Sequence, residues 1–391
     1  MPSKKKKKSL KEKLREKQIK HQKALEAHRL EMEKKLAEKR AKKWRTSKTA
    51  LTAAFLFFVT LSICLAWQYT KPPSTVPQNP NEPQQQTPQS SSDVIYIWPD
   101  GRVDPATAPI TNVSENYYKF TGNVTLPIIV LKENIVIDGA GYVLKGSGAY
   151  GSKGVDLSYR KNVTIINIKI EGFDYGIYLD STTRAVISKN EFTNNYCSVW
   201  LTSSSSQNTI TSNIISQNEG YGIWLSNSTS NYITGNTIKG NVNSTAIYIK
   251  FSSNITINQN TLTNCKLGIF LYSSTNNTIS RNKITQNYKG IHLLKSTSNR
   301  ITHNNITENY VGIGCDESSD NTIHHNNFDN DINADVQSSI NIWDYGVKEG
   351  NYWSDYNGPD VDGNGIGDTP YVINNENQDR YPLIKPVSLN I

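Results

Sequence analysis

The chain has 391 residues, and 42 Lys or Arg against 34 Asp or Glu give it a formal net charge of +8. Residues 1–48 hold 20 of the basic and 6 of the acidic residues, which leaves 22 basic and 28 acidic residues for positions 49–391. The basic balance belongs to the tail, so nucleic-acid binding is not expected for the rest of the chain.

The first 69 residues read as a charged segment followed by an apolar one. Residues 4–48 contain neither Pro nor Gly and carry a thin stripe of leucines, which predicts a solvated cytoplasmic helix, with a coiled coil as the alternative. Residues 49–69 carry no charge and are long enough for a transmembrane helix. The Lys/Arg excess precedes this segment, so we expect a single-pass anchor with residues 70–391 outside the cell. A signal peptide is the competitor, but a 48-residue charged leader is too long for one.

Residues 70–92 are rich in Pro, Gln and Ser, which predicts an extended stalk between the anchor and the folded part. Sequons for N-glycosylation are frequent beyond the stalk and suit an external, glycosylated domain. They begin at Asn112, Asn123, Asn162, Asn227, Asn243, Asn254, Asn276 and Asn305.

An apolar-x-apolar triplet recurs every 22 or 24 residues, and its first residues are Ile177, Val199, Ile223, Ile247, Ile269, Ile291 and Ile313. Each triplet is followed by a pattern of the form Ile-x-x-Asn-x-Ile, separated from it by Asn, Ser, Thr and Gly. These runs alternate with period two and are too short for helices. A unit of this length cannot bury its own apolar face, whereas stacked units can. The sequence therefore predicts an all-β fold, a right-handed parallel β-helix with one coil per repeat.

The asparagine of the second pattern occupies the same turn in every coil. Its amide can hydrogen-bond to the coils above and below, as Asn ladders do in other stacked β structures. We therefore predict a structural ladder of Asn190, Asn213, Asn236, Asn260, Asn282, Asn304 and Asn326. Residues 93–150 and 335–391 depart from the period, so we expect an N-terminal cap with a first coil and a C-terminal cap around the repeats at 151–334.

The repeat Gly-Ile-x-Leu-x-x-Ser-x-x-Asn-x-Ile-x-x-Asn-x-Ile resembles the β-helix repeats of the NosD-like proteins. Those proteins are named after a periplasmic copper-handling protein and belong to a wider group of carbohydrate-binding proteins and sugar hydrolases. Ile-Tyr-Ile-Trp-Pro-Asp-Gly within residues 95–144, and Gly-Asn-Gly-Ile-Gly-Asp-Thr-Pro-Tyr within 350–386, are similar to the archaeal branch of the family. The resemblance covers about residues 93–386 and implies the fold. Activity has to be argued from the residues, because one fold carries many functions.

The middle residue of each triplet is expected to point away from the core. Most of these residues are aromatic, and at a strand spacing of ~4.8 Å they would form a stripe on the outer surface. Aromatic rings stack on sugars, so we predict a glycan-binding stripe of Tyr178, Trp200, Trp224, Tyr248, Phe270 and His292. The alternative is ring stacking that only stiffens the sheet.

A glycosidase needs two carboxylates about 5–9.5 Å apart. Between Glu191 and Glu308 the chain has a single acidic residue, Glu219, so a catalytic pair is not expected in the middle coils. We predict a cell-surface protein without catalysis that either binds glycan or has a structural or adhesive role in the cell envelope, and whose partner is a polysaccharide or cell-envelope glycan. The alternatives are a polysaccharide lyase, hydrolase or epimerase acting at one end of the helix, and a copper-handling accessory protein.

Residue spacing indicates two candidate metal sites. Oxygen atoms stand at alternate positions of a Gly-rich loop, as in the first half of a calcium loop, at Asp360, Asp362, Asn364 and Asp368. Tyr371 occupies the twelfth position, where such a loop carries Glu. We predict a structural calcium ion that holds the C-terminal cap, against an Asx-rich turn as the alternative.

Copper is the second metal, because imidazole suits it. His303 and His325 stand 22 residues apart in adjacent coils, and His324 is beside one of them. Two turn histidines without a Met or Cys partner make a poor copper site, so copper is not expected.

Overall fold

Short β-branched runs between turn-forming residues give the chain its architecture. The computed structural model describes residues 93–240, 243–346 and 349–389, and within them the chain forms strands of two to six residues and no helix. The predicted cytoplasmic helix, transmembrane helix and stalk lie outside these residues. In the described part, no helical segment has the length and apolarity needed to cross a bilayer.

The strands form three long sheets that run side by side along the molecule. Sheet A has twelve strands, in the spatial order Val103–Asp104, Ile95–Ile97, Ile128–Val130, Lys153–Asp156, Tyr175–Asp180, Cys197–Thr202, Tyr221–Ser226, Thr245–Lys250, Leu267–Tyr272, Lys289–Leu294, Val311–Asp316 and Ile332–Gln337. Sheet B has eleven, in the order Ile110–Ser114, Tyr117–Phe120, Val136–Asp138, Thr164–Ile166, Val186–Ser188, Thr209–Thr211, Tyr232–Thr234, Thr256–Asn258, Thr278–Ser280, Arg300–Thr302 and Thr322–His324.

Sheet C has ten strands, in the order Val143–Lys145, Lys169–Glu171, Glu191–Thr193, Ile214–Ser216, Thr237–Lys239, Thr261–Thr263, Lys283–Thr285, Asn305–Thr307, Asn327–Asp329 and Tyr352–Trp353. A separate hairpin pairs Tyr371–Asn374 with Asn377–Asp379. The chain passes from sheet A to sheet B to sheet C in each coil and then returns to sheet A. Strands of successive coils pair in parallel, as in Ile177 with Val199 and Ile187 with Ile210. The predicted parallel β-helix is confirmed, with about eleven turns of the right-handed type.

The core is a column of aliphatic side chains that point inward from all three sheets. In sheet A, the first and third residues of each predicted triplet are fully buried, as Ile223 and Leu225 show. In sheet B, Ile210 and Ile233 stack in register and are equally buried. Each such side chain contributes about 2 kcal/mol through burial. The alternation is what places the middle residue of each triplet on the outer face.

The glycine before many of the triplets has a steric reason. A Cβ added to Gly222 would lie 2.5 Å from the carbonyl oxygen of Ala246 in the next coil, and one on Gly290 would lie 2.6 Å from that of Gly312. Only small residues fit this row, which explains the Gly-Ile beginning of the repeat.

Each coil turns its corners through residues in the left-handed region. The residue before each predicted ladder asparagine has a positive φ, for example Ser212 at 56° and Gln259 at 55°. Such a corner leaves backbone N–H groups without a partner in their own coil, and the asparagines accept from them. The backbone N–H of Asn213 donates to Oδ1 of Asn236 over 3.0 Å, and Nδ2 of Asn236 donates to the carbonyl of Ile210 over 2.9 Å. The same pattern continues along all seven predicted positions.

The structure also contains ladders that the sequence reading missed. Two further asparagine rows occupy the other corners, one at Asn208, Asn231, Asn277, Asn299 and Asn321 and one at Asn195, Asn218, Asn287 and Asn309. A row of Ser hydroxyls accepts backbone N–H groups at the remaining corner, as Ser252 does from Ser228 over 3.1 Å.

The ends of the solenoid are covered differently. The hairpin of Ile110–Ser114 and Tyr117–Phe120 covers the N-terminal end of sheet B. At the other end, Trp343 and Trp353 are buried, with only 1% of each side chain exposed, and Trp353 stacks on Phe328 of the last full coil. The Arg380 guanidinium binds the buried Asp344 carboxylate over 2.6 Å.

Candidate functional site

The predicted aromatic stripe lies on the outer face of sheet A, one residue per coil. Register pairing places the six side chains in a single row, which we call the aromatic row: Tyr178, Trp200, Trp224, Tyr248, Phe270 and His292. The side chains are partly buried, and their strand spacing gives the row a length of about 24 Å.

Most of the rings stack on one another rather than lying flat on the sheet. The centroids of Trp200 and Trp224 are 4.6 Å apart with 7° between the planes, and those of Tyr248 and Phe270 are 5.0 Å apart with 8°. Because carbon atoms of stacked rings touch at about 3.5–4.0 Å, such centroid distances mean that the rings are offset. Each ring therefore covers only part of its neighbour's face, and the row is a ridged apolar strip.

A second outward row borders the aromatic row on the same strands. This flanking row consists of Asp180, Thr202, Ser226, Lys250, Tyr272, Leu294 and Asp316. Hydroxyl groups dominate its middle, where Oγ of Ser226 donates to Oγ1 of Thr202 over 3.1 Å and accepts from the Trp200 indole over 3.3 Å. An aromatic strip beside hydroxyl and carboxylate groups offers both kinds of contact that a sugar makes, ring stacking and hydrogen bonding.

Charged groups close the row at its N-terminal end. Nζ of Lys153 lies 3.8 Å from the Tyr178 ring centroid and 2.6 Å from Oδ2 of Asp156, which takes the next position of the row. Burial and the neighbouring Asp180 carboxylate raise the pKa of the Tyr178 hydroxyl to about 12, so this tyrosine remains a neutral donor.

The C-terminal end carries a polar cluster that the sequence reading did not assemble. Nε2 of His292 lies 2.7 Å from Oδ2 of Asp316, and Nζ of Lys289 lies 3.5 Å from Oδ2 of Asp335. Gly314 takes the next position of the aromatic row, and a Cβ built on it would lie 3.0 Å from Nζ of Lys289. The ammonium group therefore occupies the place that a ring fills in the other coils.

Burial holds the pKa of His292 below its usual range, although the hydrogen bond with Asp316 opposes that effect. The ring is therefore neutral at neutral pH, and with Asp316 as acceptor its proton sits on Nε2. One signal of this cluster was present in the sequence: Asp335 stands between Ala334 and Val336, an apolar-x-apolar triplet that continues sheet A to Gln337.

The four predicted calcium ligands lie together on one exposed loop. Their oxygen atoms accept hydrogen bonds from the loop itself: Oδ2 of Asp368 from the N–H of Val361 over 2.6 Å, and Oδ1 of Asn364 from that of Ile366 over 2.8 Å. Oδ1 of Asp360 is buried without a hydrogen-bond partner among the described residues. Those residues contain no group of three or more His, Cys, Asp or Glu side chains arranged to hold a metal ion. Calcium binding here stays a prediction.

The three histidines weighed for copper are close to one another. The rings of His303 and His325 stack at 5.0 Å, Nδ1 of His325 faces Nδ1 of the buried His324, and Nε2 of His325 lies 2.6 Å from Glu349. Parallel stacked rings do not direct their nitrogen atoms to a common point.

The sequence profile of the family described as "Periplasmic copper-binding protein (NosD)" matches residues 128–270 and 241–358, more than half of the chain. The chain belongs to the NosD family. A search of curated proteins gave no match.

Several solved structures are similar to part of the chain. The periplasmic alginate epimerase AlgG is 18% identical over 65% of this chain and 70% of its own, with a TM-score of 0.46. The full-length tailspike protein 2 from an Escherichia coli O157:H7 bacteriophage is 14% identical over 58% of this chain and 38% of its own, with a TM-score of 0.47. The DFA-IIIase from Arthrobacter chlorophenolicus A6, without its lid, is 14% identical over 59% and 63%, with a TM-score of 0.41.

The residues of this NosD-family chain do not fit the copper that the family description names. Soft ligands that suit copper are Cys and Met. Cys197, Cys265 and Cys315 are free, buried and on different coils, and burial raises the pKa of the Cys197 and Cys315 thiols. Both methionines fall outside the described residues. Within the part of the chain that the structure describes, the histidine group has no soft partner, so these residues do not fit a copper ion.

Proposed function

We propose that the outer face of sheet A binds a polysaccharide of the cell envelope, without catalysis. The observation that carries the proposal is the unbroken aromatic row, about 24 Å long, with partly uncovered ring faces beside a row of hydroxyl groups. A row of this length accommodates several sugar rings of one linear chain. Membership of a family with a parallel β-helix fold supports the rigid platform that such binding needs.

The sequence also suggests where in the cell this binding face would lie. A membrane anchor at residues 49–69 and a stalk at 70–92 would hold the face away from the cell surface and within reach of envelope glycans. Protease treatment of intact cells tests that topology, because an external domain is cleaved while the basic tail stays protected.

Binding is tested by native electrophoresis of the full-length protein through gels cast with different polysaccharides. We expect retardation in at least one gel, and a loss of affinity of about tenfold or more in Trp200→Ala/Trp224→Ala, because these rings form the centre of the row. The matched control is Tyr288→Ala/Tyr310→Ala, a ring pair stacked at 5.2 Å that lies outside the face. If both double variants are retarded like the wild-type chain, the proposed surface is wrong.

A second candidate function, a carbohydrate-active enzyme, is favoured by the cluster of His292, Asp316, Lys289 and Asp335 at the end of the row. A neutral imidazole beside a carboxylate is a common general base. The test is the release of reducing ends or unsaturated sugars from any polysaccharide that the protein binds. Turnover that disappears in His292→Ala, while binding remains, would replace the non-catalytic proposal with this one.

A further inference from the structure

The charged groups on the outer face of sheet A are unevenly placed. Between the strands Lys153–Asp156 and Ile332–Gln337, the outward positions of sheet A hold three lysines and four aspartates. Lys153 and Lys289 stand at the first position of their strands, and the others, Lys250, Asp156, Asp180, Asp316 and Asp335, lie in the aromatic and flanking rows. Since His292 is neutral, the face carries one net negative charge. Six of the seven groups lie at the two ends of the aromatic row, and Lys250 alone lies in the middle.

The lysines of this face are already engaged. Lys153 binds Asp156 over 2.6 Å, and Lys289 binds Asp335 over 3.5 Å. Nζ of Lys250 lies 5.0 Å from the Phe251 ring centroid and 5.8 Å from that of Tyr272. An acidic sugar would have to displace an aspartate to reach either of the first two ammonium groups, whereas Lys250 keeps its charge beside the two rings and is a single cation.

Two aspartates keep acceptor capacity. Oδ1 of Asp180 accepts from the Ser181 hydroxyl over 3.0 Å, and Oδ2 of Asp316 is paired with His292 over 2.7 Å. A carboxylate has about four acceptor positions, so both groups can still accept from sugar hydroxyls. Both stand in the flanking row, one at each end of the aromatic row. A sugar carboxylate beside either one would place like charges together, which is unfavourable.

We infer that this face selects uncharged, hydroxyl-rich polysaccharides and rejects polyuronates, with Asp180 and Asp316 as the residues that determine this selectivity. The inference rests on the proposed function, because it names the ligand class of the same face. The middle of the row supports it independently: around Trp200 and Trp224 the flanking residues are the neutral Thr202 and Ser226. Ser226 is buried and donates to Thr202, so the Thr202 hydroxyl is the group that can donate to a sugar.

The test is competitive elution of the full-length protein from a neutral polysaccharide matrix, chosen among glucan, mannan, galactan and xylan. This readout is independent of the basic tail, because polyanion bound at residues 1–48 does not release a chain held through sheet A. We expect a neutral oligosaccharide of the matrix polymer to elute the protein and oligogalacturonate to fail. In Asp180→Lys/Asp316→Lys, two exposed charge contacts with the acidic sugar are gained. Oligogalacturonate should therefore elute this variant at one fifth or less of the highest concentration that fails to elute the wild-type chain, a change of about fivefold.

The matched control is Glu191→Lys/Glu308→Lys, which makes the same change in net charge at exposed positions on and beside sheet C. It should leave the elution pattern of the wild-type chain unchanged. If oligogalacturonate elutes the control as readily as the Asp180/Asp316 variant, or elutes neither, then these aspartates do not determine the selectivity.

The outcomes separate the inference from the function on which it rests. If oligogalacturonate elutes the wild-type chain as well as the neutral sugar does, the selectivity is wrong while the proposed function stands. The same holds if only a polyuronate matrix retains the chain and Trp200→Ala/Trp224→Ala abolishes that retention. If no matrix retains the chain in a manner that depends on Trp200 and Trp224, the proposed function itself fails.

Discussion

The coils and the C-terminal cap satisfy their buried polar groups in different ways. In the coils, the asparagine side chains at most corners accept from the coil before and donate within the stack, as Asn236 does between Asn213 and Asn260. In the cap, residues that occur only once satisfy the buried polar groups, among them the Arg380–Asp344 ion pair and the buried Asp379 carboxylate. A repeat can pass hydrogen bonds onward without end, whereas an end needs a group that only accepts.

The junction shows how the central ladder ends. The backbone N–H of Asn326 donates to Oδ1 of Asn351 over 3.1 Å, and the backbone N–H of Asn351 donates to Oδ2 of Asp379 over 2.6 Å. The Trp353 indole and the backbone N–H of Tyr381 also donate to this carboxylate, over 2.9 and 3.1 Å. A carboxylate can accept all of these bonds and needs no further acceptor, which an amide in its place would.

The largest predicted effect follows from this difference. Asp379→Ala leaves several buried donors without an acceptor, so we expect a loss of about 4 kcal/mol in the free energy of unfolding. Chemical denaturation followed by tryptophan fluorescence measures it. Asp329→Ala, at an exposed position of sheet C, is the control and should change stability by less than about 0.5 kcal/mol. Equal effects in the two variants would show that the cap does not depend on its central carboxylate.

A change inside the ladder should cost less, because only neighbouring amides lose partners. Asn236→Ala removes the acceptor of the Asn213 backbone N–H and side chain, at 3.0 and 2.9 Å, and the donor to Ile210. We expect a loss of about 3 kcal/mol, with faster hydrogen exchange in the adjacent coils. Asn258→Ala, on the outer side of sheet B, should leave exchange unchanged. Without a difference between these variants, the ladder would not be a source of stability.

The difference between repeated coils and unique contacts also explains which features the sequence predicted. The period from Ile177 to Ile313 identified the coils, the buried positions and the outward row, because each coil repeats the same local physics. The other corner ladders were missed, since Ile255 and Cys265 interrupt the asparagine rows. The Lys289–Asp335 contact was missed because it spans two coils across Gly314, and only coordinates reveal that crossing.

A third prediction concerns acid at the junction between the last coil and the cap. Burial, together with His325, Arg300 and His303, lowers the pKa of His324 to about 4, while Asp344 opposes the shift. A folded-state pKa below the unfolded value means that the unfolded chain binds the extra proton, so the contribution of His324 to stability rises with pH between about 4 and 6.5. Burial raises the pKa of Asp379 to about 6, which acts in the opposite direction.

Comparison with His324→Gln isolates the histidine from the carboxylate. On acidification from pH 7 to pH 4, the wild-type chain should lose about 2 kcal/mol more stability than this variant. Tyr232→Phe, at an exposed position of sheet B, should follow the wild-type chain at every pH. A difference that stays constant with pH would mean that the pKa of His324 is the same in the folded and unfolded chain, so that burial does not lower it.

The smallest effect on the free energy of unfolding is expected for the loop of Asp360, Asp362, Asn364 and Asp368. The predicted calcium ion would stabilise the cap there, as the asparagine ladder stabilises the coils. Loops of extracellular modules bind calcium with a dissociation constant of about 0.1 mM or weaker. At 1 mM calcium such a site adds at most about 1.4 kcal/mol to the free energy of unfolding. Calorimetric titration of the metal-free protein, with thermal unfolding before and after chelation, measures both quantities, and Asp360→Asn/Asp362→Asn should abolish both. Unchanged unfolding with and without chelator would leave the loop as a turn held by its own backbone, as the bonds from Val361 and Ile366 already hold it.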